Sequence, residues 1–265
     1  MIKLIASDID GTLVPESMCT INPEFYDTIR ELKKQGIIFV AASGRQYSSM
    51  RTLFAPISND IIFIAGNGTN VMCREQRMDA TTMNRKDVEE AVAYMRRLPD
   101  CIFTVSTSDC IYVEKLDEEF RRLLVEGYHN NLHIVEDVLK EPIEIQKMAI
   151  YKRTGVHDMI FQVIHDWEDR FRVFQAGENW IDFVDYEADK GKALAKIQKM
   201  LNISPEETMA FGDNYNDIGM FQVAGESYAV ASAQEGVKKA ARYVAGSCEE
   251  EGVLQILKTL IYKEQ

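Results

Sequence analysis

The first third of the chain alternates short, wholly apolar runs with amphipathic stretches. Ile2 to Ala6 reads as a strand. Asn22-Pro23 then predicts a helix start, with asparagine as the cap and proline at the first helical position. Phe25, Ile29 and Leu32 recur at i, i+4 and i+7, and Gly36 closes that helix. Ile37 to Ala42 and Ile61 to Ala65 are continuous apolar strands, separated by a helix from about Tyr47 to Phe54. Runs that are apolar on both faces suit a parallel sheet covered by helices. The pattern is β-α-β-α-β.

Between Asn84 and Asp185 the patterning changes. Cys101 to Ser106 and Trp180 to Asp185 alternate apolar and polar positions, as expected of a sheet with one wet face. Two amphipathic helices intervene, one carrying Val88, Ala91, Val92, Met95 and Leu98, the other Val156, Met159, Ile160, Val163, Ile164 and Trp167. The stretch reads as an inserted α+β domain of roughly 100 residues. From Asp189 the parallel pattern returns. A lysine-rich helix (Leu194, Ile197, Leu201) precedes a strand at Thr208 to Phe211, followed by strands at Ser227 to Ala231 and Tyr243 to Ala245. A closing helix spans Glu249 to Ile261, and the acids Glu249 to Glu251 are explained by its macrodipole.

Composition narrows the class. Of 265 residues, 42 are acidic and 30 basic, for a net charge of −12, while 46% are hydrophobic and 27% charged. That balance is ordinary for a soluble globular chain, and its negative field argues against nucleic acid or a membrane surface as partner. No apolar run approaches a membrane span, and the N-terminus does not read as a secretory signal. The five cysteines form no CxxC pair, so neither a disulfide framework nor a zinc ribbon is suggested, and a reducing, cytoplasmic location is expected.

Ligands of open parallel sheets bind beyond the carboxyl ends of the strands. After Ile2 to Ala6 comes Ser7-Asp8-Ile9-Asp10-Gly11-Thr12. Ser43-Gly44-Arg45 follows the second strand, and Gly212-Asp213-Asn214-Tyr215-Asn216-Asp217 follows Thr208 to Phe211. Asp189-Lys190-Gly191 opens the lysine-rich helix. Parallel strands would bring these segments to one sheet edge, gathering several carboxylates, a hydroxyl, an amide and an ammonium. Such carboxylates cannot all stay ionised without a cation, and oxygen-only ligands favour a hard ion such as Mg²⁺. A lysine there suits phosphate, an uncommitted aspartate can attack phosphorus, and the second carboxylate of Asp-x-Asp can move protons. These are the parts of phosphoryl transfer.

Asp8-Ile-Asp-Gly-Thr-Leu13, Ser43, Lys190 and Gly212-Asp213-Asn-Tyr-Asn-Asp217 match, in order, four motifs of the haloacid dehalogenase superfamily of phosphatases. With the large insertion between the second and third, the chain resembles the Cof-type subgroup. The resemblance implies an α/β fold: a Rossmann-like parallel-sheet core (1–82 and 187–265) with an inserted α+β cap domain (83–186) that sets substrate specificity. It implies that Asp8 is nucleophile and Mg²⁺ ligand, and that Asp10 is general acid/base with its backbone carbonyl on the metal. Asp213 would be the third metal ligand, and Asp217 would orient metal-bound water or Lys190. Ser43 and Lys190 would hold the phosphoryl group, Asn216 would contact it or the substrate, and Gly44-Arg45 would lie at the substrate side.

The expected activity is Mg²⁺-dependent hydrolysis of a small-metabolite phosphomonoester, a sugar or cofactor phosphate, by a monomer or homodimer. A phosphomutase using the same covalent aspartate is one alternative. A phospho-aspartate signalling module is the non-enzymatic one. Gly66-Asn67-Gly68 reads as a turn after a strand, lacking the third glycine of a dinucleotide fingerprint. The resemblance places Gly66-Asn67-Gly68-Thr69 where relatives often carry Asn-Gly-Ala, which would give Asn67 a substrate role, and Thr69 departs from that pattern. His129 and His133 stand at i, i+4 without an acid pattern that would make them metal ligands.

Overall fold

The computed structural model describes residues 1–15, 20–127 and 130–261, so Cys19 and His129 lie outside the described residues. The chain divides into two compact units, Met1–Ala80 with Ala188–Gln265, and Thr81–Glu187.

In the first unit the chain runs β1 (Leu4–Asp8), α1 (Pro23–Lys34), β2 (Ile38–Ala42), α2 (Tyr47–Leu53), β3 (Ile62–Ala65), β4 (Asn70–Cys73) and β5 (Gln76–Ala80). Asn22 caps α1, its side chain accepting a bond from the Glu24 N–H, and Pro23 takes the position where no N–H is needed. The hairpin β4–β5 is an addition to the pattern read from sequence. Its turn is made by Arg74 and Glu75, both at positive φ (49° and 65°). Asparagine and glycine are the usual residues at such positions, so this turn has no sequence signal.

The second unit contains α3 (Arg85–Met95), β6 (Cys101–Ser106), β7 (Ile111–Val113), α4 (Glu118–Arg122), β8 (Leu132–Ile134), β9 (Lys147–Lys152), α5 (Ile160–Trp167), β10 (Arg172–Gln175) and β11 (Trp180–Val184). Its sheet has the order β10-β11-β9-β6-β7-β8, antiparallel except for the pair β7–β8. Phe103, Val105, Met148, Ile150, Ile181 and Phe183 form one core with α3 and α5. The alternate positions of the same strands carry Thr104, Lys147 and Asp182, the last two paired at 2.5 Å. Helix α5 is shorter than the apolar spacing suggests. Val156 instead donates its N–H to the Glu178 carbonyl, which holds that segment in a turn.

The chain then completes the first unit with α6 (Lys190–Leu201), β12 (Thr208–Gly212), α7 (Ile218–Val223), β13 (Glu226–Val230), α8 (Glu235–Ala240), β14 (Tyr243–Ala245) and α9 (Gly252–Ile261). The acidic run Glu249–Glu251 therefore precedes the last helix rather than opening it. Glu251 sits at φ 54° and accepts a hydrogen bond from Asn22. The sheet order is β14-β13-β12-β1-β2-β3-β4-β5, with β14 through β3 parallel and β4 and β5 antiparallel. One apolar core surrounds it, with Leu4, Ile5, Val40, Phe63, Ile64 and Phe211 essentially sealed.

Strand β1 is the place where the winding reverses: the chain proceeds from it through β2 and β3 on one side, and through β12 to β14 on the other. The carboxyl end of such a strand is where open α/β sheets leave a crevice.

Candidate active site

Register brings the motif segments together. Asp8 pairs with Ala42 and Ser7 with Phe211, so the residues after β1, β2 and β12 emerge side by side. Asp8, Asp213 and Asp217 offer carboxylate oxygens that all lie within 4.8 Å of one another. Asp213 comes this close because the turn after β1 has no side chain in its way. A β-carbon on Gly11, whose φ is +83°, would stand 2.4 Å from Asp213 Oδ2. Thr12, to which the sequence pattern assigns no role, donates its hydroxyl to Asp213 Oδ1 at 3.1 Å.

Lys190 enters the cluster from the first residue of α6, whose start is capped by Asp189. Its ammonium donates to Asp8 Oδ1 at 2.5 Å and Asp217 Oδ1 at 2.7 Å. Asp217 also accepts the backbone N–H groups of Asp213 and Asn214 through Oδ2. That carboxylate is thus spent on the lysine and inside its own loop, where it closes a capping box with Asn214 over the single helical turn Tyr215–Asp217, while α7 has no side-chain cap of its own.

Asp10 points elsewhere. The Arg45 guanidinium binds its carboxylate through Nε and Nη2, and the Ser43 hydroxyl donates to Oδ2 at 3.3 Å. Ser43 therefore serves Asp10 and accepts the Arg45 N–H; α2 is capped at Gln46 instead. Asp10's side chain is outside the three-carboxylate cluster, so a share in a metal site would fall to its backbone carbonyl. Gly44 is exposed and faces the Asn67 carboxamide, and Asn216 donates from Nδ2 to Asn67 Oδ1 at 3.0 Å. Asn67, a turn residue to which the resemblance gives a substrate role, is thus found against Asn216.

The electrostatics are those of a site short of positive charge. Burial, with the charges of Asp217 and Asp213, drives the Asp8 carboxyl well above the usual carboxylate range, against the pull of Lys190. Burial and Asp217 push Asp213 up to about 6. Lys190 is held charged: desolvation opposes its charge, but Asp8 and Asp217 outweigh it and raise its proton affinity. Asp8 Oδ2 is buried and has no hydrogen-bond partner among the described residues.

This geometry can be set beside known proteins. Residues 5–257 match the family described as haloacid dehalogenase-like hydrolase. The chain belongs to that family. It is 28% identical over 264 residues to the Escherichia coli (strain K12) 5-amino-6-(5-phospho-D-ribitylamino)uracil phosphatase YbjI, covering 99% of this chain and 97% of that one. It is 26% identical over 287 residues to phosphatase YwpJ of Bacillus subtilis (strain 168), covering 98% and 100%. A crystal structure from Eubacterium rectale superposes with a TM-score of 0.93 at 34% identity, covering 98% of this chain and 99% of that one. This haloacid dehalogenase-like hydrolase is an enzyme of the phosphoric monoester hydrolase class, which removes the signalling-module alternative. No helix among the described residues is long and apolar enough to cross a membrane.

Proposed function

We propose that this hydrolase is a Mg²⁺-dependent phosphatase that cleaves a small phosphomonoester through an aspartyl-phosphate on Asp8. The observation that carries the reading is the Asp8 carboxylate itself: one oxygen is oriented by Lys190, the other is buried with no partner among the described residues. A buried, unpaired carboxylate oxygen costs stability unless a ligand uses it.

A divalent cation fits this donor set. The ligands are all oxygen, two of the three carboxyls have raised proton affinity, and one of their oxygens is orphaned. Asp8, Asp213 and the Asp10 carbonyl would hold Mg²⁺. When bound, it neutralises charge on the transferring phosphoryl oxygens.

The chain's own groups supply the remaining steps. An Asp8 carboxylate oxygen attacks phosphorus, and the bond from phosphorus to the leaving oxygen breaks. Asp10, steered by Arg45 and Ser43, gives that oxygen its proton. Asp10 then takes a proton from water as the water attacks the phosphorus of the acyl phosphate, which releases orthophosphate and restores Asp8. Lys190 fixes the attack direction of Asp8, and Ser43 with Asn216 would grip the phosphoryl group.

YbjI, the relative described above, is named for a ribityl phosphate. For this chain we assign the same broad class, a phosphorylated polyol, sugar or cofactor, with selection residing in the inserted unit. The test is phosphate release from a panel of monoesters in Mg²⁺ by wild type and Asp8→Asn. The variant is expected to lose at least about a thousandfold in kcat. Undiminished turnover in that variant overturns the assignment of the nucleophile.

A further inference from the structure

The turn Gly66–Gly68 touches three segments of the site, although none of its residues belongs to the carboxylate cluster. The Gly66 N–H donates to the Arg45 carbonyl and the Asn67 N–H to the Ser43 carbonyl, each at 2.9 Å. Gly68, at φ +102°, lies so close to the start of α6 that a β-carbon there would meet the Asp189 carbonyl oxygen at 2.4 Å. Asn67 Oδ1 accepts from Asn216 Nδ2 at 3.0 Å. Asn67 has φ 57°, a left-handed conformation that asparagine tolerates better than other residues with a side chain. One turn thus braces the serine loop, the lysine helix and the last acidic loop.

The Asn216 carboxamide has a second feature. With Nδ2 given to Asn67, its Oδ1 is buried and has no partner among the described residues. A phosphomonoester dianion offers acceptors only, so this Oδ1 is mismatched to it. Turning both carboxamides over preserves their mutual bond, now from Asn67 Nδ2 to Asn216 Oδ1, and frees the Asn216 amino group as a donor. Asn67 can accept or donate at the same place, which makes both arrangements available.

We propose that Asn67 is a positioning residue that holds Asn216 for phosphate binding, its carboxamide pairing reciprocally with that of Asn216 so that a donor is presented when phosphate arrives. The proposal rests on the phosphatase reading for what is bound. It is read out separately, through affinity for inorganic phosphate.

The experiment measures inorganic phosphate affinity in Mg²⁺, together with KM and kcat for a generic monoester, in wild type, Asn67→Gly, Asn67→Asp, Asn216→Ala and the double variant Asn67→Gly/Asn216→Ala. Glycine accepts the left-handed backbone, so Asn67→Gly removes the carboxamide without backbone strain. The Asn67→Asp variant keeps the side-chain shape but can only accept, which would fix Asn216 in the mismatched orientation.

Phosphate affinity is expected to fall roughly fivefold to tenfold in Asn67→Gly, and at least as far in Asn67→Asp, with the loss carried by KM more than kcat. The double variant should lose no more than Asn216→Ala alone, because the two act as one unit. Unchanged phosphate affinity in Asn67→Gly, or losses that multiply in the double variant, overturns the proposal. Activity surviving in Asp8→Asn would defeat the nucleophile assignment instead and leave the phosphate measurement to decide this one.

Discussion

The Lys190 ammonium lies 2.5 Å from the Asp8 carboxylate, and the two side chains are 1% and 7% exposed. Burying that ion pair is costly for both partners, and only close geometry with further hydrogen bonds offsets the cost. Here Asp217 supplies the further bond, at 2.7 Å from the same nitrogen. Lys190 faces both Asp8 and Asp217 with Asp213 beside them, which leaves negative charge in excess. The lysine orients the nucleophile and holds the cluster together, and the excess is what a divalent ion would neutralise.

Lys190→Met separates these functions. It leaves Asp8 and Asp217 buried without their counter-charge, which costs about 3–5 kcal/mol. Denaturant unfolding in a chelator is expected to register that loss, and saturating Mg²⁺ to recover part of it because a second cation enters the same cluster. A loss of equal size in chelator and in Mg²⁺ would mean that the ion binds elsewhere.

Acidity provides a second check. Asp213 has a folded pKa of about 6 against an ordinary value of 3.8. Between those values the metal-free native state binds more protons than the unfolded state, so this group's contribution is full below pH 4 and is lost as pH rises through 6. Asp8 shifts in the same direction. In chelator, wild type should therefore lose stability from pH 4 to pH 6.5 relative to Asp213→Asn. With Mg²⁺ the slope should flatten or reverse, because protons compete with the ion. Identical pH profiles for wild type and Asp213→Asn would remove Asp213 from the cluster's titration.

Much of this arrangement is legible in the chain itself. Fully apolar runs such as Ile61 to Ala65 mark buried parallel strands, and the acids and hydroxyls that follow them mark the sheet edge. What could not be read has local physical causes. The hairpin turn at Arg74-Glu75 uses residues with no turn signature, since tertiary packing overrides propensity there. Asp217 looks like a helix cap, and it does close the turn Tyr215–Asp217 with Asn214, but nothing in the sequence shows that its other oxygen is taken by Lys190. Asn67 reads as a turn residue with a substrate role by resemblance, and only folding reveals Asn216, 149 positions away, against its side chain. Thr12 is equally silent until Asp213 arrives beside it. Pairings across such separations have no periodicity to betray them.

Gly11 shows how narrowly the acidic cluster is fitted. Its φ of +83° and the 2.4 Å approach of Asp213 Oδ2 to the place of a β-carbon leave no room for alanine. Gly11→Ala must strain the turn, which costs about 1 kcal/mol or more, and must also move Asp213 away from Asp8. The second effect is the informative one. Asp213 is tethered by the Thr12 hydroxyl, the neighbour of Gly11, so displacement of the carboxylate breaks that bond too. Mg²⁺ affinity, followed by calorimetry, is therefore expected to fall at least about tenfold, more than the loss of folding stability alone accounts for. Thr12→Val, which removes the tether without straining the turn, should weaken Mg²⁺ binding by a smaller factor and leave the melting temperature close to wild type. If Gly11→Ala unfolds more easily yet binds Mg²⁺ as wild type does, Asp213 is not a ligand and the ion must be held by Asp8 with other groups.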